Sequence, residues 1–175
     1  TGRIVNSLYL VIKDLLDLPI LYLSRYIIKN KSEYYRLIQS VRDNGNWEEW
    51  ILFILKGVEE TAEETIVLVK QIKILMQEYK EKMKIVMGKQ YSHELLNNLF
   101  NHPYTKIDFI IQDLNVSRVT ATAYLNKLVS NGLLEKLKLG HSNFYLNTAL
   151  THILIEHSPK ADDHFERIES ISKMI

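Results

Sequence analysis

Apolar residues recur every three or four positions through the first 45 residues, the spacing of one buried helix face. This pattern predicts a helix over Arg3–Leu16 and a second helix that begins near Pro19, since a first helical turn tolerates proline. Ser32 is expected to cap a third helix, which stops near Asn44-Gly45 because glycine readily ends helices. The start of the chain is therefore predicted to be entirely helical.

A longer apolar stripe begins after Asn46 and continues at three- or four-residue intervals as far as Met83. If unbroken, it predicts a helix on the order of 55 Å long at about 1.5 Å per residue. Charge increases in its second half, which we interpret as a stalk or connector between domains. Trp47 and Trp50, in its first turn, are expected to lie in the core.

The pattern changes after Gly88. Three short helical segments follow, over SHELLNNLFNHP, TKIDFIIQDLN and SRVTATAYLNKLVSNG. Two alternating runs, LLEKLKLG and HSNFYLN, then predict a β-hairpin around Gly140. Three helices and a hairpin in this order are the layout of a winged helix-turn-helix. The fold class is thus mainly α, with predicted domains at 1–87, 88–148 and a helical tail at 149–175.

The helix-turn-helix signal depends on capping and packing residues at suitable spacing. Ile107–Leu114 is predicted as its first helix, Asn115-Val116 as the turn and Ser117 as the cap of the second helix. Gly132 is expected to end that second helix in the left-handed conformation. The residues expected to pack inward are Ala121, Leu125 and Leu128.

This module leaves two functions open, DNA binding and protein docking. Arg118, Thr120 and Thr122 are placed to face base edges. The residues expected to meet phosphates are Lys127, Lys136, Lys138 and His141. Between residues 89 and 148, however, six Lys or Arg stand against four Asp or Glu. Because duplex binders carry a strongly basic face, docking of a protein or a regulatory role is favoured.

Composition narrows the remaining possibilities. The net charge is +1, and the absence of cysteine excludes disulfides and thiolate metal sites, as in a reducing cytoplasm. Charged residues break every apolar run that could span a bilayer, so a cytoplasmic protein without membrane contact is expected. His152 and His157 are spaced five apart, which argues against a metal site. A run of carboxylates is expected to form a solvated helix face that pairs with neighbours such as Lys56 and Lys70: Glu59, Glu60, Glu63 and Glu64.

The opening residues TGRIVNSLYL resemble the end of the Fic motif, which in that family reads His-Pro-Phe-x-(Asp/Glu)-Gly-Asn-Gly-Arg-x-(Gly or small)-Arg. Thr1, Gly2 and Arg3 match its last three positions, and Asn6 matches the asparagine that follows. The stretch LLDLPILYLSRYIIKNKSEYYRLIQSVRDNGNWEEWILFIL is similar to the part of Fic proteins after the motif. With the winged helix, the resemblance extends to about Leu150.

Fic proteins are usually adenylyltransferases, so the resemblance implies transfer of AMP from ATP, with Mg²⁺, to a hydroxyl side chain of a target protein. It assigns Arg3 to the terminal phosphates, Gly2 to the phosphate loop and Asn6 to the adjoining helix. It assigns Tyr35 and Arg42 to the adenine side of the pocket. Tyr34 matches the same tyrosine pair, although a core position is favoured for it.

The motif's histidine, its acidic metal ligand and its Gly-Asn-Gly-Arg are missing from this chain, and so is any inhibitory glutamate segment. We therefore expect the chain to be the inactive C-terminal portion of a bacterial-type Fic adenylyltransferase, with no ATP or Mg²⁺ bound to it. The alternative is a winged-helix regulator without enzymatic activity, binding DNA or protein. A homo-oligomer is possible under both hypotheses.

Overall fold

The computed structural model describes residues 8–15 and 23–157. The predicted contacts of Gly2, Arg3 and Asn6 lie outside these residues, as does most of the predicted C-terminal tail. Of the helix expected over residues 3–16, residues 8–12 are helical. The described chain divides into two compact units, Thr1–Val67 and Leu68–Ile175.

Most of the described residues lie in helices. The helices are α1 (Leu23–Lys29), α2 (Lys31–Asn44), α3 (Trp47–Met87), α4 (His93–Asn101), α5 (Ile107–Leu114), α6 (Arg118–Ser130) and α7 (Thr148–Glu156). The strands are β1 (Tyr104–Thr105), β2 (Glu135–Leu139) and β3 (Ser142–Leu146), and a 3₁₀ turn over Gly88–Gln90 follows α3. The mainly helical fold class is as predicted.

The first unit is built from α1, α2 and the beginning of α3. Its core contains Leu23, Tyr26, Ile27, Leu37 and Phe53. The Tyr26 and Phe53 rings lie 5.1 Å apart, within the range of a favourable aromatic pair. Helix α1 is held to α3 by charge as well, because Glu64 accepts hydrogen bonds from Arg25 and Lys29.

Two predictions for this unit are wrong. Trp47 is 60% exposed, whereas Trp50 stacks on Phe53 as expected of a core residue. The two side chains differ because α3 turns only Trp50 toward the aromatic cluster of α1 and α2. Ser32 does not cap α2, since the helix already starts at Lys31 with Asn30 at the cap position. The end of α2 is as predicted, with Gly45 in the left-handed conformation at φ 69°.

The second half of α3, expected to be a stalk or connector between domains, has one packed face. Tyr79, Met83 and Met87 are buried in the core of the second unit, together with leucines of α4 and α6. They lie on one face because they recur every four residues along the helix. The helix itself is continuous over 41 residues, or about 60 Å at about 1.5 Å per residue. Domain limits at 87/88 and 148/149 stay predictions.

The helix-turn-helix residues lie where the sequence places them. Ser117 accepts a hydrogen bond from the Thr120 backbone N–H at 3.2 Å, and Gly132 has φ 69°. Asn115 makes the turn in the left-handed conformation, which asparagine tolerates better than most residues. The three residues expected to face inward are fully buried: Ala121, Leu125 and Leu128.

The hairpin joins a three-stranded antiparallel sheet of order β1-β3-β2. Strand β1 was not predicted, because two residues are too short for an alternating pattern. In register, Tyr145 of β3 lies between Thr105 of β1 and Lys136 of β2. Tyr145 is buried in the core, which fixes the inner face of the sheet.

Within the described parts of the chain, no helix is long and apolar enough to cross a membrane.

Candidate functional site

Tyr35 and Arg42 lie on one face of α2. They are seven residues apart, which is close to two helical turns. Their Cα atoms are therefore separated by about 10 Å along the helix axis. Tyr35 is 57% exposed, and Arg42 is also exposed. An accessible phenol ring and an accessible guanidinium on the same face can together contact a planar, polar ring such as adenine.

Tyr34 has a different environment from Tyr35. Its ring lies 5.1 Å from the Trp50 ring and 6.3 Å from the Phe53 ring, so it joins the aromatic cluster of the first unit. Tyr35 packs edge-on against Tyr34 at 5.4 Å. Tyr35 therefore contacts the aromatic cluster of the first unit through Tyr34.

A neighbouring ion-pair network steadies α2. Both Nε and Nη2 of Arg36 bond to the Glu33 carboxylate, at 2.8 and 2.7 Å, and Nη2 also lies 3.5 Å from a Glu49 oxygen. The bond from Arg36 lowers the pKa of Glu33. Arg36 is thus engaged by carboxylates, whereas Arg42 makes no ion pair with any described residue.

The residues proposed to face base edges cluster at the beginning of α6. Arg118 Nη1 lies 3.2 Å from Asp108 Oδ1 in an exposed ion pair. The Thr122 hydroxyl donates to the Arg118 carbonyl, and the Thr120 hydroxyl lies 2.9 Å from Ser117 Oγ. The three polar side chains are thus engaged within the protein.

Val119 is the most exposed apolar residue of α6, at 80%. The sequence pattern does not predict which face of α6 carries Val119, and Val119 is not among the site residues predicted from the sequence. Val119 follows Arg118 in the first turn of α6. It therefore places an exposed apolar side chain on a surface that the sequence predicts to be polar. A single exposed apolar side chain is common on protein surfaces, so Val119 marks a position at which docking can be tested and does not by itself identify a partner.

The proposed phosphate contacts are dispersed over several elements. Lys127 of α6 donates to Gln90 Oε1 at 3.4 Å, while Lys136 and Lys138 lie on β2. Lys136 Nζ is 5.9 Å from the centre of the buried Tyr145 ring. Lys138 and His141 are exposed at the end of the hairpin.

A cationic and aromatic cluster surrounds β1, and sequence reasoning missed it. Lys106 Nζ lies 4.3 Å above the Phe144 ring and 5.9 Å from the Phe109 ring. Tyr104 packs edge-on against Phe144 at 5.4 Å. Tyr104, Lys106 and Phe109 are close in sequence, but Phe144 is distant and joins them only because β1 pairs with β3, so no local signal could reveal the complete cluster.

The carboxylates of α3 form ion pairs only in part as predicted. Glu60 lies 3.8 Å from Lys56, the expected neighbour. Glu64 instead bonds to Lys29 at 2.7 Å and to Arg25 at 3.2 Å, both on α1. The bond from Lys29 is the main reason that the pKa of Glu64 is lowered.

A surface groove of about 550 Å³ runs along α3 beside Leu52, Leu55 and Val58, away from the predicted site residues of α2. Among the residues that the structure describes, no three His, Asp or Glu side chains are grouped so that they could hold a metal ion.

The second unit has the element order and sheet of the predicted winged helix-turn-helix, a small helical domain with a hairpin wing. Residues 75–150 match the family described as protein adenylyltransferase SoFic-like, C-terminal domain. Over these residues the chain is therefore similar to the C-terminal domain of Fic-family protein adenylyltransferases. The match covers less than half of the 175-residue chain, and the likeness of residues 1–74 to the Fic motif region rests on the sequence alone.

Proposed function

We propose that the chain is the C-terminal portion of a protein adenylyltransferase that transfers AMP from ATP to a hydroxyl side chain of a target protein. In this proposal, residues 75–150 are a regulatory or targeting module, and the catalytic histidine belongs to the parent protein outside this chain. The observation that carries the proposal is the family match, whose span agrees with the packing. Leu75 packs against the core of the second unit, and Leu150 is buried.

The geometry of α2 supports a nucleotide on the first unit. Tyr35 offers an exposed ring to adenine, and Arg42 offers a guanidinium with no ion pair among the described residues. Arg3, Gly2 and Asn6 are proposed on the phosphate side from the resemblance alone. Guanidinium groups bind phosphate oxygens with charge-assisted bonds, so Arg3 fits that role chemically. Mg²⁺ is likewise proposed from the resemblance.

Incubation of the parent protein with ATP labelled on the α-phosphate tests the reaction. Label should become covalently attached to protein in the presence of Mg²⁺, whereas ATP labelled on the γ-phosphate should leave protein unlabelled. Labelling from the γ-phosphate would indicate phosphoryl transfer and contradict the proposal.

The role of the module as a protein-docking surface depends on Val119 and the start of α6. Val119→Glu should reduce labelling of target proteins in an extract without changing any self-labelling of the parent. Ser130→Glu, at the other end of the same helix, is the matched control and should change neither. If Val119→Glu and Ser130→Glu label target proteins equally, the start of α6 has no role in targeting.

DNA binding through α6 and the hairpin is the second candidate. Exposed Lys136 and Lys138 on β2 and the helix-turn-helix geometry favour it. Against it, the Arg118 guanidinium is paired with Asp108, and the module carries only a small basic surplus. Titration of duplex binding against salt decides the question. A steep fall in affinity with rising salt supports phosphate contacts, and undetectable binding at low salt excludes them.

A further inference from the structure

One tyrosine hydroxyl lies between the two ends of the hairpin. Tyr79 projects from the second half of α3 and is only 4% exposed. Its hydroxyl is 2.9 Å from the Leu133 carbonyl oxygen and 3.0 Å from Asn147 Oδ1. Leu133 lies two residues before β2, and Asn147 directly follows β3. A single polar group on the long helix therefore contacts the chain where it enters the hairpin and where it leaves.

Asn147 is the junction at the second of these ends, and it is 1% exposed. Its backbone N–H donates to the Pro103 carbonyl at 2.8 Å, and its Nδ2 donates to the Leu99 carbonyl at 3.2 Å. Its Oδ1 also accepts from the Leu150 N–H at 3.1 Å. The Leu150 N–H must face an oxygen and the Leu99 carbonyl must face an N–H, so these two bonds fix the orientation of the amide, and Oδ1 shares the single Tyr79 hydroxyl proton with the Leu133 carbonyl.

Packing holds the Tyr79 ring independently of its hydroxyl. The ring packs edge-on against Phe100 at 5.3 Å, and the side chain belongs to the same core as Met83 and Tyr145. Removal of the hydroxyl alone therefore leaves the apolar contacts of the ring in place. The polar contact to the hairpin and the apolar contact to the core can be separated by one substitution.

Apart from its two ends, the hairpin is held to the helices mainly by Tyr145 of β3, which is buried in the same core. Strand β2 pairs with β3 alone, and β3 pairs with β1 over two residue pairs. Exposed residues make up most of β2. Tyr145 fixes the middle of β3 by apolar packing, and the Tyr79 hydroxyl supplies polar contacts from the long helix to the two ends of the hairpin.

We propose that the Tyr79 hydroxyl and Asn147 form a latch that fixes the hairpin to the long helix. With the latch closed, β2 and β3 move together with the end of α3. With it open, the hairpin moves about its two ends while α4, α5 and α6 stay folded. A partner that displaces the hairpin would then act on α3 through this contact. The latch itself is independent of the proposed enzymatic function.

Amide hydrogen exchange of the full chain, resolved by residue, tests the latch. In Tyr79→Phe, exchange of residues 135–146 should become about fivefold to tenfold faster, because a buried hydrogen bond to a neutral group is lost. Exchange in α4, α5 and α6 should change by less than about twofold.

Tyr145→Phe is the matched control. Its hydroxyl is also buried, but it has no hydrogen-bond partner among the described residues, and burial raises the pKa of both tyrosines. The control should leave exchange in the hairpin and in the helices unchanged. Equal acceleration of hairpin and helices in Tyr79→Phe would mean that the hydroxyl contributes only general stability, and this would overturn the latch. Unchanged hairpin exchange in that variant would overturn it as well.

Discussion

At the scale of single residues, Gly57 shows how closely α1 approaches α3. A Cβ atom at this position would lie 2.6 Å from Tyr26 Cδ1 and 2.9 Å from Leu23 Cδ1. Both neighbours are buried in the core of the first unit, so a shift of either side chain would disturb packed residues. Glycine is a poor helix former, so its presence in the middle of α3 is explained by this contact and not by helix propensity.

Gly57→Ala should therefore destabilise the first unit by about 1–2 kcal/mol, because overpacking outweighs the gain of about 1 kcal/mol in helix propensity. Both tryptophans of the chain, Trp47 and Trp50, are in this unit, so their fluorescence during urea unfolding reports on it. Lys56→Ala, at an exposed neighbouring position, is the control and should shift the midpoint little. An unchanged or higher midpoint for Gly57→Ala would show that α1 is not packed against this position.

Glu64 makes the stability of the first unit dependent on pH. Its pKa lies below the ordinary value of 4.5, chiefly because Lys29 donates a hydrogen bond to its carboxylate. The unfolded chain therefore binds the proton more readily than the folded chain. The stabilisation is fully present above about pH 4.5 and is lost as the pH falls through the lower folded-state pKa.

Glu64→Gln should flatten this acid dependence. Since the pair is partly exposed to solvent, the effect should stay below about 1 kcal/mol. Urea midpoints measured by tryptophan fluorescence from pH 7 down to about pH 3 provide the comparison. Glu63→Gln is the control, and an acid dependence that is equally steep in wild type and in Glu64→Gln would exclude the ion pair as its source.

At the scale of elements, capping decides where the helices of the second unit begin. Ser92 and Ser117 each accept a hydrogen bond from a backbone N–H of the first turn, at 3.1 and 3.2 Å. Such caps satisfy N–H groups that have no partner within the helix. They are short-range features, and the starts of α4 and α6 could therefore be predicted from the sequence.

Ser117→Ala should lower the free energy of unfolding of the second unit by about 1 kcal/mol. Ser130→Ala, in the last turn of the same helix, retains helix propensity and should have little effect. Circular dichroism during thermal unfolding gives both values. Equal stability of the two variants would mean that the Ser117 bond does not contribute.

Elements that depend on distant partners could not be predicted. Strand β1 exists because Tyr104 and Thr105 pair with the end of β3, about forty residues later. The Asn147 junction likewise collects hydrogen bonds from four separate elements or turns. Asparagine before Thr-Ala-Leu is a recognisable helix cap, and Leu150 N–H does bond to it, but its bond to Tyr79 has no local signal.

At the scale of the whole molecule, one helix contributes to both units. Trp50 and Phe53 lie in the aromatic cluster of the first unit, and Tyr79 and Met83 lie in the core of the second. The spacing of apolar residues predicts that this segment is a helix with one buried face. It does not predict which elements cover that face, because every amphipathic helix has the same spacing. The sequence therefore predicts a stalk or connector, and the structure adds that the end of this helix packs in the core of the second unit.

The same distinction applies to the candidate site. The sequence resemblance identifies Tyr34, Tyr35 and Arg42 together, and the structure separates them by environment. Tyr34 packs among aromatic rings, while Tyr35 and Arg42 are exposed on one face of α2. The core position that the sequence favours for Tyr34 agrees with this packing, whereas the exposure of Tyr35 and Arg42 depends on tertiary packing and has no local signal.

The proposed adenylyltransferase activity is tested most directly by AMP transfer from α-labelled ATP by the parent protein carrying Arg3→Ala. If Arg3 binds the phosphates, transfer should fall by about 100-fold or more, the usual loss when a charge-stabilising group is removed from a transition state. Arg36→Ala, an exposed arginine paired with Glu33, is the matched control and should transfer AMP as the wild type does. Wild-type transfer by Arg3→Ala would contradict the account.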